Sequence, residues 1–150
     1  MTMGRVVSIR ELDRHAGQTV TLRGWMTARR SGGKVWFLQM RDGTGQCQGV
    51  VEPSAATAFE RCDGLTPESA VEVTGLIRAE PRSPGGYEMA VTELVLVHRA
   101  EEYPITRKAH GVEFLMDHRH LWLRSARQAA ILKIRHTIIR ACRDFFDGRG

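Results

Sequence analysis

The stretch KVWFLQMRDGTGQCQGVV, residues 34–51, has the pattern of two β-strands joined by a tight turn. Successive side chains of a strand point to opposite faces, so every second residue shares a face. One face of this stretch is apolar or small: Trp36, Leu38, Met40, Cys47, Gly49 and Val51. The run Asp42-Gly43-Thr44-Gly45 between the two strands is a strong hairpin signal. The stretch therefore predicts a β-hairpin with one core face and one exposed face.

The segments on either side extend this hairpin into a small barrel. Ser8 and Glu11 have capping-box spacing, which predicts a short helix over residues 9–15. The remaining elements are a strand over about 19–28, a helix over about 55–62 capped by Pro53-Ser54, and strands over about 70–79 and 89–97. Three strands, a helix and two strands, with glycines inside the strands, are typical of a mainly β, five-stranded OB barrel. A β-sandwich and an SH3-like barrel are the alternative folds.

The texture of the sequence changes after about residue 100. Residues 101–119 contain Pro104 and Gly111 without clear periodicity, and we predict a linker there. A long helix is then predicted from Ser125 or Ala126, and its apolar stripe is wide: Ile131, Leu132, Ile134, Ile138, Ile139, Cys142, Phe145 and Phe146. Because the barrel lies beyond the linker, we expect this helix to belong to a larger domain or to an interface.

Charge is unevenly distributed along the 150 residues, whose formal net charge is +5. Residues 1–103 carry 12 Lys and Arg against 13 Asp and Glu, whereas residues 104–150 carry 10 against 4. Within the first part, five basic residues fall in one stretch without an acidic residue: Arg23, Arg29, Arg30, Lys34 and Arg41. Such a stretch suits phosphate contacts, but it also fits ordinary solvated charge.

Targeting signals and metal motifs are not evident in the sequence. The chain has no apolar run of about 20 residues and no secretory leader pattern, so we expect a soluble, cytoplasmic protein. The three cysteines, Cys47, Cys62 and Cys142, form no CxxC pair and suggest neither disulfides nor zinc. Asp117, His118 and His120 lack a known metal spacing, and a structural or solvated role is expected for them.

No catalytic motif is recognisable, and the exposed face of the hairpin is more informative. The sequence contains no glycine-rich phosphate loop, no GxSxG motif and no HExxH motif, so we predict no catalytic residue, no metal and no cofactor in this chain. The exposed face combines an aromatic ring, amides and a cation: Phe37, Gln39, Arg41, Gln46 and Gln48. Single-stranded RNA is bound by such stacking and hydrogen-bonding groups. The alternative is that Phe37 packs under a loop and the glutamines are only solvated.

Two long segments resemble a known enzyme family. GWMTARRSGGKVWFLQMRDGTGQCQGVV, residues 24–51, resembles the anticodon-binding OB domain shared by the aspartyl, asparaginyl and lysyl class II aminoacyl-tRNA synthetases. YPITRKAHGVEFLMDHRHLWLRS, residues 103–125, is similar to the asparaginyl subgroup in particular. The resemblance implies an anticodon-binding domain over 1–100, a linker or hinge over 101–124, and the start of a truncated α+β catalytic domain over 125–150.

The resemblance also implies roles for individual residues. Phe37 would stack on the middle anticodon base and Gln48 would read it, while Arg29 and Arg30 would approach the anticodon. Glu93 would contact a flanking base. The helix over residues 127–146 would be the motif 1 helix, and it would form a homodimer interface through these residues: Ile131, Ile134, Ile138 and Cys142.

The implied full-length enzyme attaches asparagine to its tRNA with ATP and Mg²⁺. This chain ends before the arginines of motifs 2 and 3, so we expect no ligase activity from the chain alone. Two alternatives remain open. One is a free-standing OB-fold module that binds single-stranded nucleic acid, and the other is a fragment of an aspartyl-type synthetase.

Overall fold

The computed structural model describes residues 4–106 and 108–150. The chain divides into two compact units, Met1–Tyr103 and Pro104–Gly150. The first unit holds the strands: β1 (Arg5–Val6), β2 (Thr19–Gly32), β3 (Val35–Arg41), β4 (Gln46–Val51), β5 (Ser69–Ala79) and β6 (Tyr87–His98). It also holds two 3-10 helices, Ile9–His15 and Pro84–Gly86, and helix α1 (Ala56–Asp63). The second unit holds three helices: α2 (Val112–Asp117), α3 (Arg119–Trp122) and α4 (Ala126–Asp147).

The strands form one sheet that closes on itself. Its order is β1-β2-β3-β4-β6-β5, and β2 pairs with β5 as well as with β3. Strands β2 to β6 therefore make a closed five-stranded barrel, and the two-residue β1 adds a short parallel pairing to β2. Strand β4 pairs with β6 in parallel, across the chain segment that contains α1 and β5. The predicted mainly β, five-stranded OB barrel is confirmed.

The barrel interior is filled by the predicted apolar faces of the strands. Its most buried side chains come from all five barrel strands: Val20, Met26, Leu38, Cys47, Val51, Val73, Ile77 and Met89. Thr21 and Thr74 are also buried, and their hydroxyls form a 2.8 Å hydrogen bond that satisfies both. Burial raises the pKa of the Cys47 thiol to about 12 and that of Cys62 to about 11. Both thiols are therefore neutral near pH 7.

The strands bend where glycine permits close approach. At Gly75 an added Cβ would lie 2.3 Å from the Ala90 carbonyl oxygen and 2.7 Å from Met89 Cγ. The pairing of β5 with β6 shifts by a residue between Thr74 and Gly75, as a bulge does. Glycine at this position lets the two strands curve tightly enough to close the barrel.

Asp42 ties the hairpin turn to the first 3-10 helix. Its carboxylate accepts hydrogen bonds from Ile9 N–H at 2.8 Å, Gly45 N–H at 2.9 Å, and Thr44 N–H and hydroxyl at 2.6 Å each. Burial alone would raise the pKa of Asp42, but these donors outweigh burial and lower the pKa below its ordinary value. The predicted hairpin turn is thus held by one ionised side chain.

Acid should weaken the fold through Asp42. Because its pKa is lower in the folded than in the unfolded chain, its stabilisation is present above the unfolded pKa and is lost as pH falls through the folded pKa. We expect Asp42→Ala to lower the free energy of unfolding by about 2 kcal/mol at pH 7. Urea titrations should show this difference shrinking by pH 3. Asp13→Ala, at an exposed position in the 3-10 helix whose Ile9 N–H donates to Asp42, is the control. An equal Asp42→Ala deficit at both pH values would contradict the assignment.

Several local predictions need correction. The helix predicted over 55–62 begins at Ala56, and its N-cap is Ala55, so neither Pro53 nor Ser54 caps it. The helix over 9–15 is a 3-10 helix, although the capping box between Ser8 and Glu11 is present.

The predicted linker over 101–124 is not irregular throughout, since α2 and α3 lie within it. Rings four residues apart support these short helices. The Phe114 ring stacks on His110 at 4.7 Å and on His118 at 4.3 Å between ring centroids. Helices α2 and α3 are too short for a helical period of apolar residues to be visible in the sequence.

Helix α4 begins at the predicted position. Ser125 is its N-cap, and its hydroxyl accepts a 3.4 Å hydrogen bond from Gln128 N–H. Its apolar stripe is exposed: Ile131, Ile134, Ile138, Phe145 and Phe146 are between 46% and 69% accessible. No helix among the described residues has the length and apolar character to cross a membrane.

Candidate nucleic-acid interface

The outer face of the barrel gathers side chains from four strands. Phe37 of β3 pairs laterally with Arg30 of β2, and Gln39 of β3 pairs with Gln48 of β4. Gln48 in turn pairs with Glu88 of β6. Lateral neighbours in a sheet share a face, so these five side chains form one surface. We call this surface the platform: Arg30, Phe37, Gln39, Gln48 and Glu88.

The aromatic ring of the platform is held from two sides. The guanidinium carbon of Arg30 lies 4.0 Å from the centroid of the Phe37 ring. An added Cβ at Gly32 would lie 2.7 Å from Phe37 Cε2, so the ring rests against the backbone of β2. The ring is half-buried.

A chain of hydrogen bonds fixes the amide of Gln48. Gln39 Nε2 donates to Gln48 Oε1 at 3.2 Å, and Gln48 Nε2 donates to Ser83 Oγ and to Glu88 Oε2, each at 3.4 Å. Because a carboxylate offers only acceptor oxygens, Glu88 faces the NH₂ side of the Gln48 amide. Bonds of 3.4 Å lie beyond the usual range for N–H···O, so an incoming polar edge can replace them.

Arg29 does not belong to the platform. It pairs laterally with Leu38, whose side chain is in the core, so it projects from the opposite face. Its Nη1 donates to the Cys62 carbonyl at 2.8 Å and reaches Asp63 Oδ1 at 3.4 Å. Its guanidinium carbon also lies 5.1 Å from the Trp36 ring centroid. Arg29 therefore ties β2 to the end of α1.

Glu93 is also placed away from the platform. It pairs laterally with Thr74 of β5, beyond the last pairing of β6 with β4 at Val91 and Val51. The acidic residue beside Gln48 is Glu88, which the sequence analysis missed. The signal for it is the parallel register of β4 with β6, which local patterns along the chain do not contain.

Arg41 and Gln46 extend the outer face at the other end of the hairpin. Arg41 Nη2 lies 2.6 Å from Glu68 Oε2, and both side chains are largely buried. The cation that contacts the Phe37 ring is Arg30. Gln46 is exposed and lines a cleft of about 350 Å³. Its other lining residues are Ile9, Arg10, Leu12, Asp13, Gly45, Pro84, Gly85 and Tyr87.

The four residues assigned to an interface in the sequence analysis lie on α4 in the second unit. Ile131, Ile134 and Ile138 are 46%, 62% and 58% accessible, and Cys142 is exposed as a free thiol. They recur at helical spacing along one side of α4, so they share one apolar face.

Comparison with known proteins gives consistent matches over the whole chain. This chain is 51% identical over 145 residues to the asparagine–tRNA ligase of Pelotomaculum thermopropionicum, and the match covers 95% of this chain and 34% of that protein. It is 52% identical to the asparagine–tRNA ligase of Koribacter versatilis, which covers 100% of this chain and 35% of that protein. The chain spans about a third of the length of these relatives.

Solved structures and a family model agree with this similarity. The crystal structure of asparaginyl-tRNA synthetase from Pyrococcus horikoshii complexed with asparaginyl-adenylate matches with a TM-score of 0.89 and 34% identity. The match covers 100% of this chain and 35% of that one. The model of the OB-fold nucleic acid binding domain matches residues 20–97, which contain the whole platform. This chain therefore belongs to the family of OB-fold nucleic acid binding domains.

Proposed function

We propose that this chain is the anticodon-recognising part of an asparagine–tRNA ligase. The observation that carries the proposal is the platform, which places an aromatic ring, the Gln48 amide, a carboxylate and a cation on one face of an OB barrel. Unpaired RNA bases are recognised by such stacking and by hydrogen bonds to their edges. The similarity to proteins named asparagine–tRNA ligase supports the choice of tRNA.

The platform residues take distinct roles in this proposal. Phe37 stacks on the middle anticodon base, and Gln48 hydrogen-bonds to the edge of that base. Glu88 replaces Glu93 as the acidic residue that contacts a flanking base, because Glu88 is the carboxylate that touches Gln48. Arg30 supplies the positive charge for the RNA backbone, whereas Arg29 positions β2 through its contacts with α1.

The rest of the chain would connect this domain to the catalytic part. We propose an anticodon domain over 1–100, a hinge over 101–124 and the start of the catalytic domain over 125–150. In the full-length, cytoplasmic enzyme, the face of α4 with Ile131, Ile134, Ile138 and Cys142 would lie in a homodimer interface. An exposed apolar stripe of this width is typical of such a contact.

ATP and Mg²⁺ would act in the full-length enzyme. No cluster of three or more His, Cys, Asp or Glu side chains among the described residues could hold a metal. We propose that the part of this chain in that enzyme is to select the tRNA.

Substitution of Gln48 tests the proposed reading of the middle base. We expect Gln48→Ala to reduce discrimination at that base by about 1 kcal/mol for each hydrogen bond lost. Total affinity for the matched RNA should fall less, because stacking on Phe37 remains. The measurement is a titration of the 150-residue chain with anticodon stem-loops that carry each of the four bases at the middle position.

The matched control for this experiment is Gln46→Ala. Gln46 is two residues away on the same strand and the same side, but it is outside the hydrogen-bond chain of Gln48. It should leave discrimination unchanged. Equal affinity of the wild type for all four bases would favour the free-standing single-strand binder instead. Tighter binding of an aspartate anticodon loop than of an asparagine one would favour the aspartyl-type alternative.

A further inference from the structure

Arg30 is committed to the ring of Phe37 and to nothing else that the structure describes. Its guanidinium carbon lies 4.0 Å from the ring centroid, and the residue is exposed. Within residues 4–106 and 108–150 it makes no hydrogen bond and no ion pair. The preceding arginine is the opposite case, because Arg29 is bound to two oxygens of the α1 terminus.

The position of Arg30 conflicts with the use of Phe37 as a stacking surface. The ring rests on the backbone at Gly32, where an added Cβ would come within 2.7 Å of Cε2 and 3.3 Å of Cδ2. A guanidinium is planar and stacks on aromatic rings much as a base does. A base and the guanidinium therefore compete for the face of the ring that Arg30 covers.

We propose that Arg30 is a removable cap on the base-stacking ring. In the free protein the guanidinium covers the Phe37 ring and shields it from water. When single-stranded RNA binds, a base takes the ring and the guanidinium moves to a phosphate of the same RNA strand. The inference rests on the proposed function, since it specifies how the platform opens for its ligand.

The exchange is favourable for Arg30 as well as for the base. An exposed cation over an aromatic ring is weakly held. A guanidinium facing a phosphate makes two parallel charge-assisted hydrogen bonds, which are among the stronger contacts in water. The cation leaves the weaker partner for the stronger one, so uncapping the ring does not oppose binding.

Arginine side-chain NMR of the full 150-residue chain tests the cap directly. In the free protein, the Cδ and Nε protons of Arg30 should resonate upfield of ordinary arginine positions, because they lie over the ring. At saturation with an anticodon stem-loop they should return to ordinary positions. Arg23 is the internal reference, because it is held in an ion pair with Glu72 at 2.8 Å on the β2–β5 side.

Each result of this titration decides the matter. Upfield resonances that persist at saturation would show that Arg30 stays on the ring, which overturns the cap while leaving the proposed function intact. Ordinary positions in the free protein would also overturn it. Absence of saturable binding would overturn the proposed function and the cap together. Phe37→Leu, which keeps an apolar side chain without a ring, should abolish the upfield displacement in the free protein. If it does not, the displacement has another source and the cap is overturned.

Salt dependence tests the second half of the exchange. Arg30→Met should reduce the slope of log affinity against log salt concentration by about 0.7, the contribution of one phosphate contact on a single strand. Arg5→Met, which removes a charge from β1, should leave the slope unchanged. An unchanged slope in Arg30→Met would show that the cation does not reach a phosphate and would overturn the exchange.

Discussion

Phe37→Ala is expected to weaken binding of an asparagine anticodon stem-loop by about 1–3 kcal/mol, the contribution of one base stacked on an aromatic ring. The ring is half-buried on the outer face, so its loss removes a binding surface without opening the core, which Trp36 and Leu38 contact from the other face. Fluorescence anisotropy with a labelled stem-loop measures the change.

Two further variants separate stacking from bulk at this position. Phe37→Tyr keeps the ring and should retain most of the affinity, whereas Phe37→Leu keeps an apolar side chain and should lose nearly as much as alanine. The free energy of unfolding should be compared for all three, because a general loss of structure would lower affinity in all of them. Equal affinity of Phe37→Ala and the wild type would refute the proposed stacking role.

Gly75→Ala is expected to have the largest effect on the fold, lowering the free energy of unfolding by about 3 kcal/mol. The added Cβ would meet the Ala90 carbonyl oxygen at 2.3 Å, and backbone atoms of a paired strand cannot move aside as a flexible side chain can. The two strands would have to separate where the barrel bends. Urea unfolding at pH 7 measures the loss.

Gly43→Ala is the matched control for this substitution. Gly43 lies in the hairpin turn, where an added Cβ would meet nothing within 4 Å. It should change the free energy of unfolding by less than about 1 kcal/mol, as most surface substitutions do. A loss at Gly75 no greater than that at Gly43 would show that the barrel can relax around the extra carbon.

Local patterns in the sequence were sufficient for most of the barrel. Alternation in residues 34–51 and the Asp42-Gly43 turn predicted β3 and β4, because these strands are neighbours along the chain and across the sheet. The same alternation separated Phe37 from the core residues Leu38 and Met40. Hydrophobic periodicity works here because one face of each strand is buried and the other is not.

The parts that were missed depend on contacts between distant segments. Glu88 lies beside Gln48 only because β4 and β6 pair in parallel, 40 residues apart along the chain. Arg29 and Arg30 are adjacent basic residues with the same local pattern. The structure separates them, because one reaches α1 and the other reaches Phe37. Helices α2 and α3 were missed because each has too few residues to show a periodic pattern.

The hydrogen-bond chain through Gln39, Gln48 and Glu88 has a consequence for evolution. It crosses three strands, and each member satisfies a polar group of its neighbour. Replacement of one member leaves a donor or an acceptor of its neighbour without its partner in the chain of hydrogen bonds. A lineage that changed the base read at this position would have to pass through weakened intermediates or exchange the members together. We therefore expect the residues at positions 39, 48 and 88 to covary among homologous domains that read different bases.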